Sequence, residues 1–165
     1  MKAETIERAL NAFTIESDSI LATRDKMDME AFAKAVEALS KAERIGTAGC
    51  GHSGIACMHF AHSMCCVERP ARFISPAEAV HGATGYLQEG DVMVRASRGG
   101  KTDELFKILE ICHVKKVTVI GVTENLASPL ADMSDIVIPM VVTSETDRYN
   151  SQGTSSFTAL AAVFD

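Results

Sequence analysis

Apolar residues in the first part of the chain recur at helical spacing. Ile6, Leu10, Phe13, Ile20 and Leu21 form one such series, and Met27, Phe32, Val36 and Leu39 form a second. Neither stretch holds Gly or Pro, so residues 1 to about 40 are predicted to be helical. From Glu43 onward short apolar runs alternate with helical segments. The strand candidates are Ile45–Ala48, Ala71–Ile74, Val92–Ala96, Val117–Val122 and Ile136–Val142. Helices fit between them at about 53–66, 102–113 and 127–132, with a last one starting near Thr154. Apolar strands separated by helices imply βαβ units and a parallel sheet covered on both faces. The chain therefore divides into leading helices over residues 1–42 and one α/β domain over 43–165. The last helix is still apolar at Leu160, Ala161, Val163 and Phe164 and is expected to continue past Asp165.

The turns between these elements carry the chemistry. After the first strand comes Gly49-Cys50-Gly51-His52-Ser53-Gly54, and after the third Ser97-Arg98-Gly99-Gly100-Lys101-Thr102. Each is a glycine- and hydroxyl-rich turn that opens a helix, where unpaired amides and the helix dipole bind anions. Both lie at strand carboxyl ends, where parallel sheets bind ligands. Ser97 and Thr102 bracket two glycines, so hydroxyl and backbone donors can converge on one oxyanion, with Arg98 and Lys101 adding charge. The plainer alternative is an ordinary connection with Thr102 as a helix cap; the first turn tips the balance toward a phosphorylated ligand held between two loops.

Three further segments bear on this reading. The first turn also fits the Gly-x-Gly-x-x-Gly dinucleotide fingerprint, which wants an acidic residue at the end of the second strand. Glu68 has the right distance but precedes that strand, which counts against a dinucleotide. In Cys57-Met58-His59-Phe60-Ala61-His62-Ser63-Met64-Cys65-Cys66, His62 and Cys66 lie one turn apart and invite a metal. No second ligand cluster accompanies them, so the Cys and Met side chains are expected to be core fillers and no metal is assigned. His81, in Pro76-Ala77-Glu78-Ala79-Val80-His81-Gly82, lies at the same sheet edge and suits proton transfer near neutral pH, or a surface role. Glu145 lies just past the fifth strand, where it can reach the same ligand or simply face solvent.

Composition narrows the partners. A net charge of −6 disfavours nucleic acid and membrane surfaces, and the absence of Trp disfavours binding by stacking. No apolar run approaches the ~20 residues of a membrane span, and Met1-Lys2-Ala3-Glu4 does not begin a signal peptide. Five cysteines without a regular framework point to reduced thiols in a cytoplasm.

Taken together, these segments resemble the sugar isomerase (SIS) domain family of phosphosugar isomerases and phosphosugar-binding regulators. The likeness runs from about Glu43 to the end and is strongest to arabinose-5-phosphate isomerases. Gly49 to Gly54 match their Gly-x-Gly-x-Ser-Gly loop, and Pro76 to Gly82 match their Pro-Ala-Glu-Ala-x-His-Gly segment. In the second loop, Ser-x-Ser-Gly-x-Thr/Ser in the family, Gly99 stands for the middle Ser and Lys101 for a family Glu. His52 stands for a family Lys. The family's regulatory CBS modules and its later catalytic histidine fall beyond Asp165.

The resemblance implies a five-stranded, doubly wound parallel sheet of flavodoxin-like type, and a homodimer or homotetramer. It implies an aldose–ketose isomerase acting on a sugar phosphate through an enediol, with no metal or organic cofactor. The alternative is a non-catalytic phosphosugar-binding regulatory module. Glu145 is the candidate base, expected to have a raised pKa beside a bound anion, and His81 the ring-opening or proton-shuttling group. His52, Ser53, Ser97, Arg98, Gly99, Gly100, Lys101 and Thr102 are the candidate substrate-binding residues.

Overall fold

A computed structural model describes residues 3–165; Met1 and Lys2 of the leading segment lie outside the described residues. Helices α1 (Ala3–Lys26) and α2 (Met29–Lys41) occupy the predicted helical stretch. Asp28 separates them: its Oδ1 accepts from the amides of Glu30 and Ala31, both at 3.0 Å, and so starts α2. The side chains that α1 buries are not its apolar ones. Ser19 and Thr23 are buried, whereas Ile6, Leu10 and Phe13 are exposed, Phe13 at 74%.

The sheet contains β1 (Ile45–Gly49), β2 (Ala71–Phe73), β3 (Val92–Ala96), β4 (Thr118–Thr123) and β5 (Ile136–Pro139). All are parallel, in the order β2-β1-β3-β4-β5. β1 and β3 are buried along their whole length, as central strands of a covered parallel sheet should be. The fifth strand is shorter than its apolar run suggested. It stops at Pro139, although the next amide, that of Met140, still donates to the Thr123 carbonyl of β4 at 3.1 Å. Beyond it, Val141 exchanges hydrogen bonds with the Thr23 hydroxyl of α1 instead of with a strand.

Helix α3 (Gly51–Cys66) follows β1, and α4 (Pro76–Ala79) follows β2. A single turn of 3₁₀ helix (Asp103–Leu105) then leads into α5 (Phe106–Lys115), with α6 (Pro129–Asp132) and α7 (Thr154–Phe164) completing the chain. Alternate strand residues feed two cores. Val92, Val94, Ile120, Val122 and Ile138 pack against Phe60 of α3 and Leu160 of α7. On the other face Ala48, Met93 and Val119 pack against Ile108, Leu109 and Leu130. Within β1, the Thr47 hydroxyl donates to the Cys57 carbonyl (2.8 Å) and the Cys57 thiol donates to the Ala48 carbonyl (3.3 Å), bolting α3 to the strand it follows.

The expectation that the α3 sulfur residues fill the core holds for Cys57 and fails for Cys65, Cys66 and Met58, which are exposed. The helix turns only one face to the sheet, and the 58, 62, 65, 66 positions lie on the other.

Candidate functional site

The strand order reverses direction between β1 and β3, and a crevice at the carboxyl ends of those two strands is the expected binding position in such a sheet. Gly49 is registered opposite Ala96, so the loops that follow the two strands leave side by side. These are the two glycine-rich loops.

The first loop is short. Gly51 adopts φ +55° and α3 begins there, with His52 and Ser53 in its first turn. Its helix start packs directly on the strand it leaves: a Cβ on Gly54 would stand 2.6 Å from the Gly49 carbonyl oxygen. The free amides of the α3 amino terminus thereby sit at the crevice. The His52 ring reaches across to the start of α7, where a Cβ on Gly153 would meet its Nδ1 at 2.9 Å.

The second loop is held by side chains. The Ser97 and Thr102 hydroxyls are hydrogen-bonded at 2.8 Å, and Ser97 Oγ also accepts from the Gly100 amide at 3.1 Å. Gly100 adopts φ +66° against the buried Ser128, with no room for a side chain. Thr102 does not cap the following helix, since its hydroxyl faces Ser97 instead. The loop after β4 braces this arrangement. The Thr123 hydroxyl and the Glu124 amide both donate to the Arg98 carbonyl, the Leu130 amide donates to the Gly100 carbonyl, and the Asn125 side-chain amide reaches the Gly99 carbonyl. Gly99 and Lys101 are exposed at the loop surface.

Arg98 is not free to serve the loop as an independent cation. Its Nε donates to Glu124 Oε2 at 2.8 Å and its Nη1 to Glu145 Oε1 at 2.9 Å. Glu145 is buried, with a side chain 1% exposed, and its Oε2 accepts from the amides of Ser155 (2.7 Å) and Ser156 (3.3 Å) and the Thr154 hydroxyl (3.1 Å). It thus caps α7 and neutralises Arg98 at once. Burial pushes its carboxyl up, but the donors of Ser156, Ser155 and Thr154 outweigh burial and hold it below its usual value. The rise expected beside a bound anion is opposed here by α7, which presents its free amides to the carboxylate and stabilises the charged form.

The structure therefore joins His52 and Glu145 to the start of α7, and Glu145 to the second loop through Arg98. Ser53 lies in the neighbouring helix start. His81 is exposed after α4, and among the described residues its side chain makes no hydrogen bond with the other candidates. No three His, Cys, Asp or Glu side chains converge as a metal site among the described residues. Sequence reasoning missed Glu124, Asn125 and Ser128. Ser128-Pro129 carried a helix-start signature that could have flagged the brace, whereas nothing local marked Glu124.

Comparisons with known proteins place the chain in a family. The SIS domain family profile matches residues 38–165. The chain belongs to the SIS domain family. It is 29% identical over 164 residues to an arabinose 5-phosphate isomerase KdsD of Francisella tularensis, covering 97% of this chain and 50% of that protein. It is 32% identical over 135 residues to the KdsD of Pseudomonas aeruginosa, covering 81% of this chain and 41% of that protein. The chain thus spans about half the length, or less, of these curated relatives. Among solved structures, a candidate sugar-phosphate isomerase from Listeria monocytogenes superposes with TM-score 0.96 at 38% identity, over 100% of this chain and 87% of that one. The Escherichia coli CFT073 protein c3406, solved in complex with arabinose 5-phosphate, superposes with TM-score 0.90 at 25% identity, over 100% and 88%. This SIS domain has the five-stranded parallel α/β fold of its relatives. No described helix is long and apolar enough to cross a membrane.

Proposed function

We propose that this SIS domain binds a sugar monophosphate across its two loops and interconverts the aldose and ketose forms through an enediol. The observation that carries the proposal is the second loop: a hydroxyl pair over a left-handed glycine, linked through Arg98 to a buried, ionised glutamate. The phosphate is assigned to Ser53, Ser97 and Thr102 with the amides about Gly99 and Gly100, and Lys101 supplies charge from the loop surface. His52 contacts the sugar. Glu145 takes the proton from C2 of the aldose and returns it to C1, while His81 passes a proton between the two oxygens. Positioned hydrogen-bond donors suffice to stabilise an enediol, so neither metal nor organic cofactor is assigned.

The second reading is a phosphosugar-binding regulatory module without turnover. One observation favours it: both Glu145 oxygens are already engaged, one by Arg98 and the other by α7. In either case we read the chain as a cytoplasmic homodimer or homotetramer with leading helices over residues 1–42 and the SIS domain over 43–165. Five free cysteines and the exposed stripe of Ile6, Leu10 and Phe13 support that reading.

Proton NMR in D₂O with a panel of pentose and hexose phosphates, arabinose 5-phosphate first, tests the proposal. Loss of the C2 or C1 proton signal from one sugar is the expected result, and Glu145→Gln should abolish it while leaving binding in place. Line broadening without exchange would replace the isomerase by the binding module. No response to any sugar phosphate would sink both readings.

A further inference from the structure

The geometry points to Glu124 as a positioning residue that keeps Arg98 from fully occupying the candidate base Glu145. The inference rests on Glu145 acting as the base proposed above, and it concerns a residue with no place in the ligand site itself. Glu124 ties three loops together. Its amide donates to the Arg98 carbonyl, its Oε2 accepts from Arg98 Nε, and its Oε1 accepts from the Val142 amide at 2.9 Å, just before the segment that carries Glu145. One guanidinium is thus shared between two carboxylates, at 2.8 and 2.9 Å. Sharing has an electrostatic consequence. Glu124 offsets part of the Arg98 charge felt by Glu145 and repels the Glu145 anion directly, so on both counts it keeps Glu145 more basic.

Other ionisable groups lie on the elements packed against Glu145, among them Arg148 in the same loop, whose guanidinium lies over the Tyr149 ring. Asp147 follows it in the same loop, with its carboxylate turned to the amides of Tyr149, Ser151 and Gln152. His52 lies against Gly153 at the start of α7, and Glu16 of α1 accepts from Thr158 farther along that helix. Neither Asp147 nor Glu16 is bonded to Arg98, which leaves Glu124 as the carboxylate set to balance it.

The test is Glu124→Gln, which keeps an acceptor for the Val142 amide and removes the charge that faces Arg98. Two readouts are taken on wild type and variant. The first is ¹³C NMR titration of the Glu145 carboxyl, assigned by its loss in Glu145→Gln. The second is the pH profile of proton exchange on the sugar phosphate that wild type turns over. The Glu145 titration is expected to fall by roughly half a unit to one unit in the variant. The acidic limb of the exchange profile should move with it. Maximal exchange should drop roughly tenfold, with sugar phosphate affinity changed less than about twofold. Glu124→Asp, too short to span Val142 and Arg98 together, should shift the titration in the same direction by less, and it carries the test if the Gln variant fails to fold. An unmoved Glu145 titration in a folded variant overturns the inference. Absence of exchange in wild type instead removes the isomerase reading, and the carboxyl titration still decides the role of Glu124.

Discussion

The two glycine-rich loops look alike on paper and are built on different principles. The first gains its shape from backbone packing: α3 starts at once, and Gly54 sits against Gly49 with no space for a methyl group. The second gains its shape from side chains: Ser97 pairs with Thr102, Gly100 rests on Ser128, and α5 begins only at Phe106. A helix start offers amides in a fixed direction at no side-chain cost. A loop of hydroxyls offers donors whose direction depends on distant braces, here the segment from Thr123 to Ser128. Substitution should therefore break the first loop through the fold and the second through the ligand.

The largest effect should come from Gly54→Ala. The added methyl would meet backbone on β1, at 2.6 Å from the Gly49 oxygen, where neither partner can turn aside. A loss of about 3 kcal/mol in unfolding free energy is expected, read from urea midpoints. A loss under about 0.5 kcal/mol would show that the first loop is not held by close packing.

Smaller losses should follow in the second loop. Ser97→Ala and Thr102→Ala each remove half of one hydroxyl pair and should cost about 1 kcal/mol in stability. Inorganic phosphate, titrated by isothermal calorimetry, should then bind about tenfold more weakly. Equal phosphate affinity in all three proteins would move the anion to the first loop alone.

The smallest effect sharpens how the two loops meet at α7. Glu145 has a folded-state pKa below its usual value of 4.5, so its stabilising contribution is present above that value and lost as pH falls through the folded pKa. Between pH 7 and pH 4 the wild type should lose more stability than Glu145→Gln, by under about 1 kcal/mol, in urea unfolding at the two pH values. Parallel losses would mean that the carboxylate is not what fastens the second loop to α7.

Much of this architecture was legible in the chain. Strand runs such as Val92–Ala96 are continuous and apolar because both faces are covered, and the glycines after β1 and β3 mark turns that only small residues permit. The apolar run of the fifth strand extends past the strand itself because Met140 and Val142 are buried in the core, while the Val141 and Val142 amides turn to the Thr23 hydroxyl and the Glu124 carboxylate. Arg95 places a charge in the middle of β3. It is 0% exposed, its guanidinium nitrogens have no hydrogen-bond partner among the described residues, and burial pushes its pKa down to about 10. The charge role of Arg98 was visible by type but not by target, since both of its carboxylates lie far along the chain.

Periodicity and turn chemistry are local properties, so the sequence alone determined the alternation of strands and helices, the two loops, and the placement of both at one edge of the sheet. What the tertiary structure decided was which groups are bonded there. It set Glu145 at the amino terminus of α7, whose donors hold its carboxyl below the usual value, and it set Arg98 between Glu124 and Glu145. It also buried Ser19 and Thr23 of α1 against the segment from Val141 to Thr143, leaving Phe13 in the open. Hydrogen bonds and ion pairs act over about 3 Å, and only folding brings residues 26, 47 or 124 positions apart within that range.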